Sequence, residues 1–117
     1  MNRRYFLSAL GAISLTLLAG CQDDLTAPFV GYWLEQKEDG PAIMHVKEDG
    51  PDLLIRIRTS GYMLFLPAKV KQAKTMTIDN KKQLIYDKPT GTLIDPDKGF
   101  NPFKKISQIE FENLIAD

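Results

Sequence analysis

The chain carries one cysteine, one histidine and one tryptophan among its 117 residues, and each scarcity closes a class of function. A single cysteine cannot form an internal disulfide, so a small domain has to stand on packing and hydrogen bonds alone. One histidine and one thiol cannot supply the ligands of a His/Cys zinc centre. A cysteine–histidine pair or a serine triad would have only His45 as its base. We therefore expect a protein that is not an enzyme and that holds no metal or cofactor. Excess charge of either sign is missing as well, with 15 Lys and Arg against 15 Asp and Glu. Without a basic stripe there is no counterion release to drive nucleic-acid binding, and no nucleic-acid partner is expected. Residues 5–18, the most apolar stretch, fall short of the roughly 20 residues that a bilayer core demands of a helix.

What is present begins at the N-terminus. Asn2-Arg3-Arg4, the apolar residues 5–18 and the small pair Ala19-Gly20 form the basic, apolar and small-residue regions of a secretory signal over residues 1–20. Leu18-Ala19-Gly20-Cys21 resembles the lipobox of bacterial lipoproteins. The resemblance implies cleavage before Cys21, a diacylglyceryl thioether on its thiol and an acylated amine, hence attachment to a membrane. One acyl chain binds membranes only marginally, whereas two or more hold stably, at about 0.8 kcal/mol per buried CH₂. Arg3-Arg4-Tyr5-Phe6-Leu7 resembles a twin-arginine export motif, although paired basic residues also open ordinary secretory signals. Gln22 would be the second mature residue, where aspartate retains lipoproteins of enteric-type bacteria in the inner membrane. That resemblance implies the outer membrane, with the domain facing the periplasm.

Loss of Arg3 and Arg4 with the signal would leave thirteen basic residues against fifteen acidic ones, a net of about minus two. Residues 21–28 read as the lipidated cysteine and a short polar tether, and residues 29–117 as one small domain. Within it, short apolar stretches alternate with Asp-Gly, Ser-Gly, Asp-Asn and Pro-Thr-Gly turns. Strands are expected at 30–36, 42–46, 53–59, 62–71, 75–79, 83–86 and 92–94, with a closing strand at 107–112. Leu53, Ile55 and Ile57 fall on one face and Arg56 and Arg58 on the other, the period of a half-buried strand. At the C-terminus, Asn101-Pro102 would also suit a helix with Ile106 and Ile109 inward. The alternation of Ile109 and Phe111 with Glu110 and Glu112 favours the strand. Short antiparallel connections point to an all-β fold, either a small antiparallel β-barrel or a two-layer sandwich of seven or eight short strands.

Gly31-Tyr32-Trp33 resembles the Gly-x-Trp opening of lipocalins. It implies an indole plugging one end of a barrel with a narrow interior, although Trp33 also qualifies simply as the largest core residue. Lys37-Glu38-Asp39-Gly40-Pro41 recurs as Lys47-Glu48-Asp49-Gly50-Pro51. Turns one strand apart emerge at opposite ends of a meander, so the copies are read as two turns of the same chemistry rather than one acidic site. His45 should be half-exposed on the face that carries Ile43. The carboxylates, Asp95 and Asp97 among them, sit at turns and are expected to be solvated. With Asn101 these two faintly resemble calcium ligands, without the spacing of a helix–loop–helix calcium site.

The stretch 62–71 is the most informative. If Tyr62, Leu64, Leu66, Ala68 and Val70 face the core, Met63 and Phe65 point outward ahead of Lys69 and Lys71. An exposed Met–Phe pair suits a protein partner, by surface contact or by strand addition; the stretch also reads as a strand covered on both faces within a sandwich. The leading expectation is a membrane-anchored, non-catalytic module that binds a periplasmic or envelope protein. The alternative is a small lipocalin-like binder of a lipid or apolar molecule, entered by Trp33 and Tyr62; a hydrolase built on His45 comes third.

Overall fold

The computed structural model describes residues 25–59 and 61–116; Cys21 and residues 1–20, read above as a secretory signal, lie outside them. Eight strands follow in order: β1 Gly31–Glu35, β2 Ile43–Asp49, β3 Asp52–Thr59, β4 Tyr62–Gln72, β5 Thr75–Ile78, β6 Lys82–Asp87, β7 Thr92–Ile94 and β8 Phe103–Ile106. Each runs antiparallel to the next, and β8 returns to pair with β1, closing a barrel rather than a sandwich. The first seven expected strands are present, their ends displaced by at most three residues.

The eighth is a correction. Residues 107–112 are not a strand: β8 precedes them, and Gln108–Ala116 form a helix, α1. Ser107 caps it, its Oγ accepting from the Glu110 amide at 3.1 Å. That bond satisfies one of the amides that a helix N-terminus leaves without a partner. α1 lies on the outside of the barrel, where Phe111 is buried with Ile43 and Ile106. Ile109, expected inward, is 75% exposed. At the other end of α1, Arg58 donates to the carbonyls of Leu114 at 2.6 Å and Ile115 at 3.1 Å. A cation is favourable there because the last carbonyls lack helical partners and the helix dipole is negative.

Pleat alternation sorts the strand residues. Met44, Val46, Ile55, Met76, Leu84 and Phe103 point into the barrel and are fully buried or nearly so. Arg56, His45 and Lys47 point out. The N-terminal end is closed by a 3₁₀ turn, Ala27–Phe29, whose Phe29 is buried and whose carbonyl accepts from Trp33 Nε1 at 3.0 Å. Thr26 is also buried, so the fold begins before residue 29. Gly31 has φ +142°, and a Cβ there would stand 2.6 Å from Lys105 Cε. Its lack of a side chain lets Lys105 cross the strand and place Nζ 5.2 Å from the Trp33 ring centroid. The Gly-x-Trp spacing thus has a physical sense here: the glycine clears the path of the cation that covers the indole.

Two buried acids hold the opposite end. Glu35 accepts from the amides of Ala42 at 2.9 Å and Asn101 at 2.8 Å, joining the β1–β2 turn to the β7–β8 loop. Asp95 accepts from Lys82 Nζ at 2.9 Å and from the amides of Asp97 and Phe100 at 3.0 and 2.9 Å. Its side chain has no exposed surface, which corrects the expectation that this turn carboxylate is solvated. Burial pushes its carboxyl up, but the Lys82 hydrogen bond, the two amides and the Lys82 charge together outweigh it and hold the group below the ordinary carboxylate range.

Candidate interaction surface

In an up-and-down barrel, alternate connections share an end. The chain enters β1 at the end that also holds the β2–β3, β4–β5 and β6–β7 turns. The β3–β4 hairpin therefore lies at the end away from the N-terminus. By the same rule the two Lys-Glu-Asp-Gly-Pro turns, with Gly40 at φ +58° and Gly50 at +62°, sit at opposite ends and do not converge.

β4 is 11 residues long while its neighbour β5 has four. Pairing with β3 runs the whole way from Thr59↔Tyr62 to Leu53↔Ala68. Pairing with β5 begins only at Ala68↔Ile78, and the last bond toward the tip is the Asp79 amide to the Pro67 carbonyl at 2.8 Å. Residues 62–66 therefore stand beyond β5 as half of a two-stranded ribbon. Backbone groups alternate in direction along a strand. Since Pro67 turns its carbonyl toward β5, Phe65 and Met63 turn both N–H and C=O to the same side, where no described residue meets them. Pro67 fits the pattern, because proline is tolerated in a strand where its missing N–H would face an open edge.

The side chains match this backbone. Tyr62, Met63, Leu64 and Phe65 are 67, 37, 44 and 63% exposed, four of the six large exposed apolar side chains among the described residues. Met63 and Phe65 stand on the outer face, opposite Arg58 and Arg56, as expected. Tyr62 and Leu64 share a face with Ala68 but do not reach the core, because the ribbon has outrun the barrel that would cover them. Only Leu66, Ala68 and Val70 of that face pack inward. Native proteins usually blunt such an edge with charge; none occurs between Tyr62 and Pro67.

Trp33 and Tyr62 are not brought together. Trp33 is fully buried beneath Lys105, while Tyr62 closes the hairpin, so the barrel has no exposed tryptophan at its mouth. His45 stacks on Tyr32 with ring centroids 4.2 Å apart and the planes 10° from parallel. Burial lowers its pKa first, then the charges of Arg56 and Lys47, with Glu112 opposing. No cluster of three or more His, Cys, Asp or Glu able to hold a metal occurs among the described residues. In the stretch with a faint calcium likeness, the Asp95 oxygens already accept from protein donors, and the Asn101 side-chain amide donates to the Gln36 carbonyl. Comparison with known proteins adds no relationship: no protein family, curated protein or solved structure matches this chain.

Sequence reasoning missed two structural acids, Glu35 and the buried state of Asp95. It also missed the groove on the outer face beside Phe65, lined by His45, Lys47, Leu54 and Arg56. The alternation of 54, 56 and 58 against 53, 55 and 57 signals that outer face, but not which side chains of β2 and β4 flank it.

Proposed function

We propose that this protein is a membrane-anchored lipoprotein of the bacterial envelope whose barrel is a non-catalytic protein-binding module, and that it binds by strand addition to the free edge of β4. The anchor belongs to the resemblance at Cys21. The binding mode rests on one observation: residues 62–66 combine an unpaired backbone edge with apolar side chains on both faces.

Each part of this reading has a physical basis. Strand addition draws affinity from main-chain hydrogen bonds and selectivity from alternate side chains. Here Met63 and Phe65 offer two donors and two acceptors, with Tyr62 and Leu64 on one face and Met63 and Phe65 on the other. An N-terminal anchor leaves this hairpin at the far end of the barrel, pointing from the membrane into the periplasm. A partner there would be an envelope or periplasmic protein presenting an extended apolar segment.

Site-directed photocrosslinking in cells tests the reading. A photoreactive side chain at Phe65 is expected to give a discrete adduct with one envelope protein. The same group at Gln83, exposed on β6, is expected to give none. Equal adducts from both positions, or none at Phe65 in a protein that folds, would refute it.

A further inference from the structure

The outer face of β2, β3 and β4 carries a second feature beside the hairpin. His45 and Lys47 from β2, Leu54 and Arg56 from β3 and Phe65 from β4 enclose a groove of about 190 Å³. This is smaller than the ~300 Å³ at which small-molecule pockets begin, and close to the size of one side chain. Two of its five lining residues, Lys47 and Arg56, are cations. Arg56 Nε is shielded from solvent and has no hydrogen-bond partner among the described residues. The guanidinium lies over the Phe111 ring at 5.2 Å from its centroid, a contact that orients the group without accepting its N–H. Neither Arg56 nor Lys47 takes part in an ion pair among the described residues. Arg56 and Lys47 thus line the groove with no carboxylate of their own, and an acceptor that reached the guanidinium there would form charge-assisted hydrogen bonds.

We propose that this groove is a socket for a carboxylate of the bound protein, an Asp or Glu side chain or a chain terminus, held by the Arg56 guanidinium and Lys47 with its aliphatic stem against Leu54 and Phe65. This rests on the reading of the hairpin as a protein-binding edge. It adds the chemistry of the partner: an apolar extended segment with an acidic group beside it. The charges that face His45 are Arg56 and Lys47, which disfavour its protonation, and Glu112 of α1, which favours it. Tyr32 and Phe111 flank its ring. A bound carboxylate offsets the two cations and moves the His45 titration upward.

The test is an NMR titration of the full-length protein in detergent, following the Arg56 Nε–Hε resonance and the His45 ring. The probes are N-acetyl-glutamate amide, its glutamine analogue and inorganic phosphate. The glutamate probe is expected to shift the Arg56 resonance saturably and to raise the His45 titration, and the glutamine probe to do neither. Arg56→Gln should weaken binding by about tenfold. Lys47→Gln, at an exposed site with no packing role, should weaken it by about threefold. Absence of a saturable shift, an equal shift with the glutamine probe, or tighter binding of phosphate than of carboxylate would overturn the socket. None of these results would touch the crosslink at Phe65, so failure here is distinguishable from failure of the hairpin reading.

Discussion

Trp33→Ala is expected to cost about 4 kcal/mol of folding stability, read as the shift of the urea midpoint of the full-length protein. Removal of a fully buried large side chain loses its transfer free energy and leaves a cavity, together about 3–5 kcal/mol for an aromatic residue. Trp33 has no exposed surface, and it holds three separate parts. Its ring lies under Lys105, its Nε1 donates to the Phe29 carbonyl, and it occupies the interior just above the 3₁₀ turn. Domains of this size have only about 5–15 kcal/mol in total, so the variant should approach the unfolding threshold at ordinary temperature. Trp33→Phe keeps most of the apolar area and gives up the hydrogen bond, and should lose only about 1–2 kcal/mol. A loss below about 1 kcal/mol for the alanine variant would mean that the indole does not close the barrel.

Asp95→Ala should be the second most damaging change, at about 2–3 kcal/mol, because the amides of Asp97 and Phe100 and the Lys82 ammonium lose a common acceptor. Its pH signature separates it from a packing defect. The carboxyl is held below its ordinary value in the folded protein, so the unfolded chain takes up a proton first as the medium becomes acid. The stabilisation is fully present above the unfolded value of about 3.9 and fades as pH falls through the lower folded value. The midpoint of the native protein should therefore drop across that acid window, and the curve of Asp95→Ala should be flatter there. Parallel curves would show that the Asp95 charge contributes nothing to folding.

How far the sequence reaches can be judged residue by residue. β2 and β3 were legible because Met44 and Val46 alternate with His45 and Lys47, and Ile55 and Ile57 with Arg56 and Arg58, and a period of two is local information. The C-terminal helix was misread although two signals for it stand in the chain. Ser107-Gln108-Ile109-Glu110 has the spacing of a capping box, and Phe111, Leu114 and Ile115 recur at helical intervals. The strand expectation rests instead on the alternation of Ile109 and Phe111 with glutamates, and the 75% exposure of Ile109 shows that this alternation carries no packing. Glu35 and Asp95 were illegible for a different reason. Glu35 meets the amide of Asn101, 66 residues on, and no local pattern announces a partner at such a distance.

The interaction surface divides in the same way. Outward-facing Met63 and Phe65 follow from strand alternation and were expected. The exposure of Tyr62 and Leu64 does not follow, since it depends on β5 stopping after four residues and leaving β4 without a neighbour. That difference in strand length turns an apolar strand into an open edge. It also makes the edge testable at the level of single amides, because Tyr62 and Leu64 bond to β3 while Met63 and Phe65 face outward.

Hydrogen exchange of these four amides, in the free protein and in the complex isolated through the Phe65 crosslink position, tests strand addition most directly. The account predicts an alternating pattern. Met63 and Phe65 exchange fast when free and are strongly protected in the complex, while Tyr62 and Leu64 are protected in both. Met63 and Phe65 amides already slow in the free protein, or still fast in the complex, would contradict it.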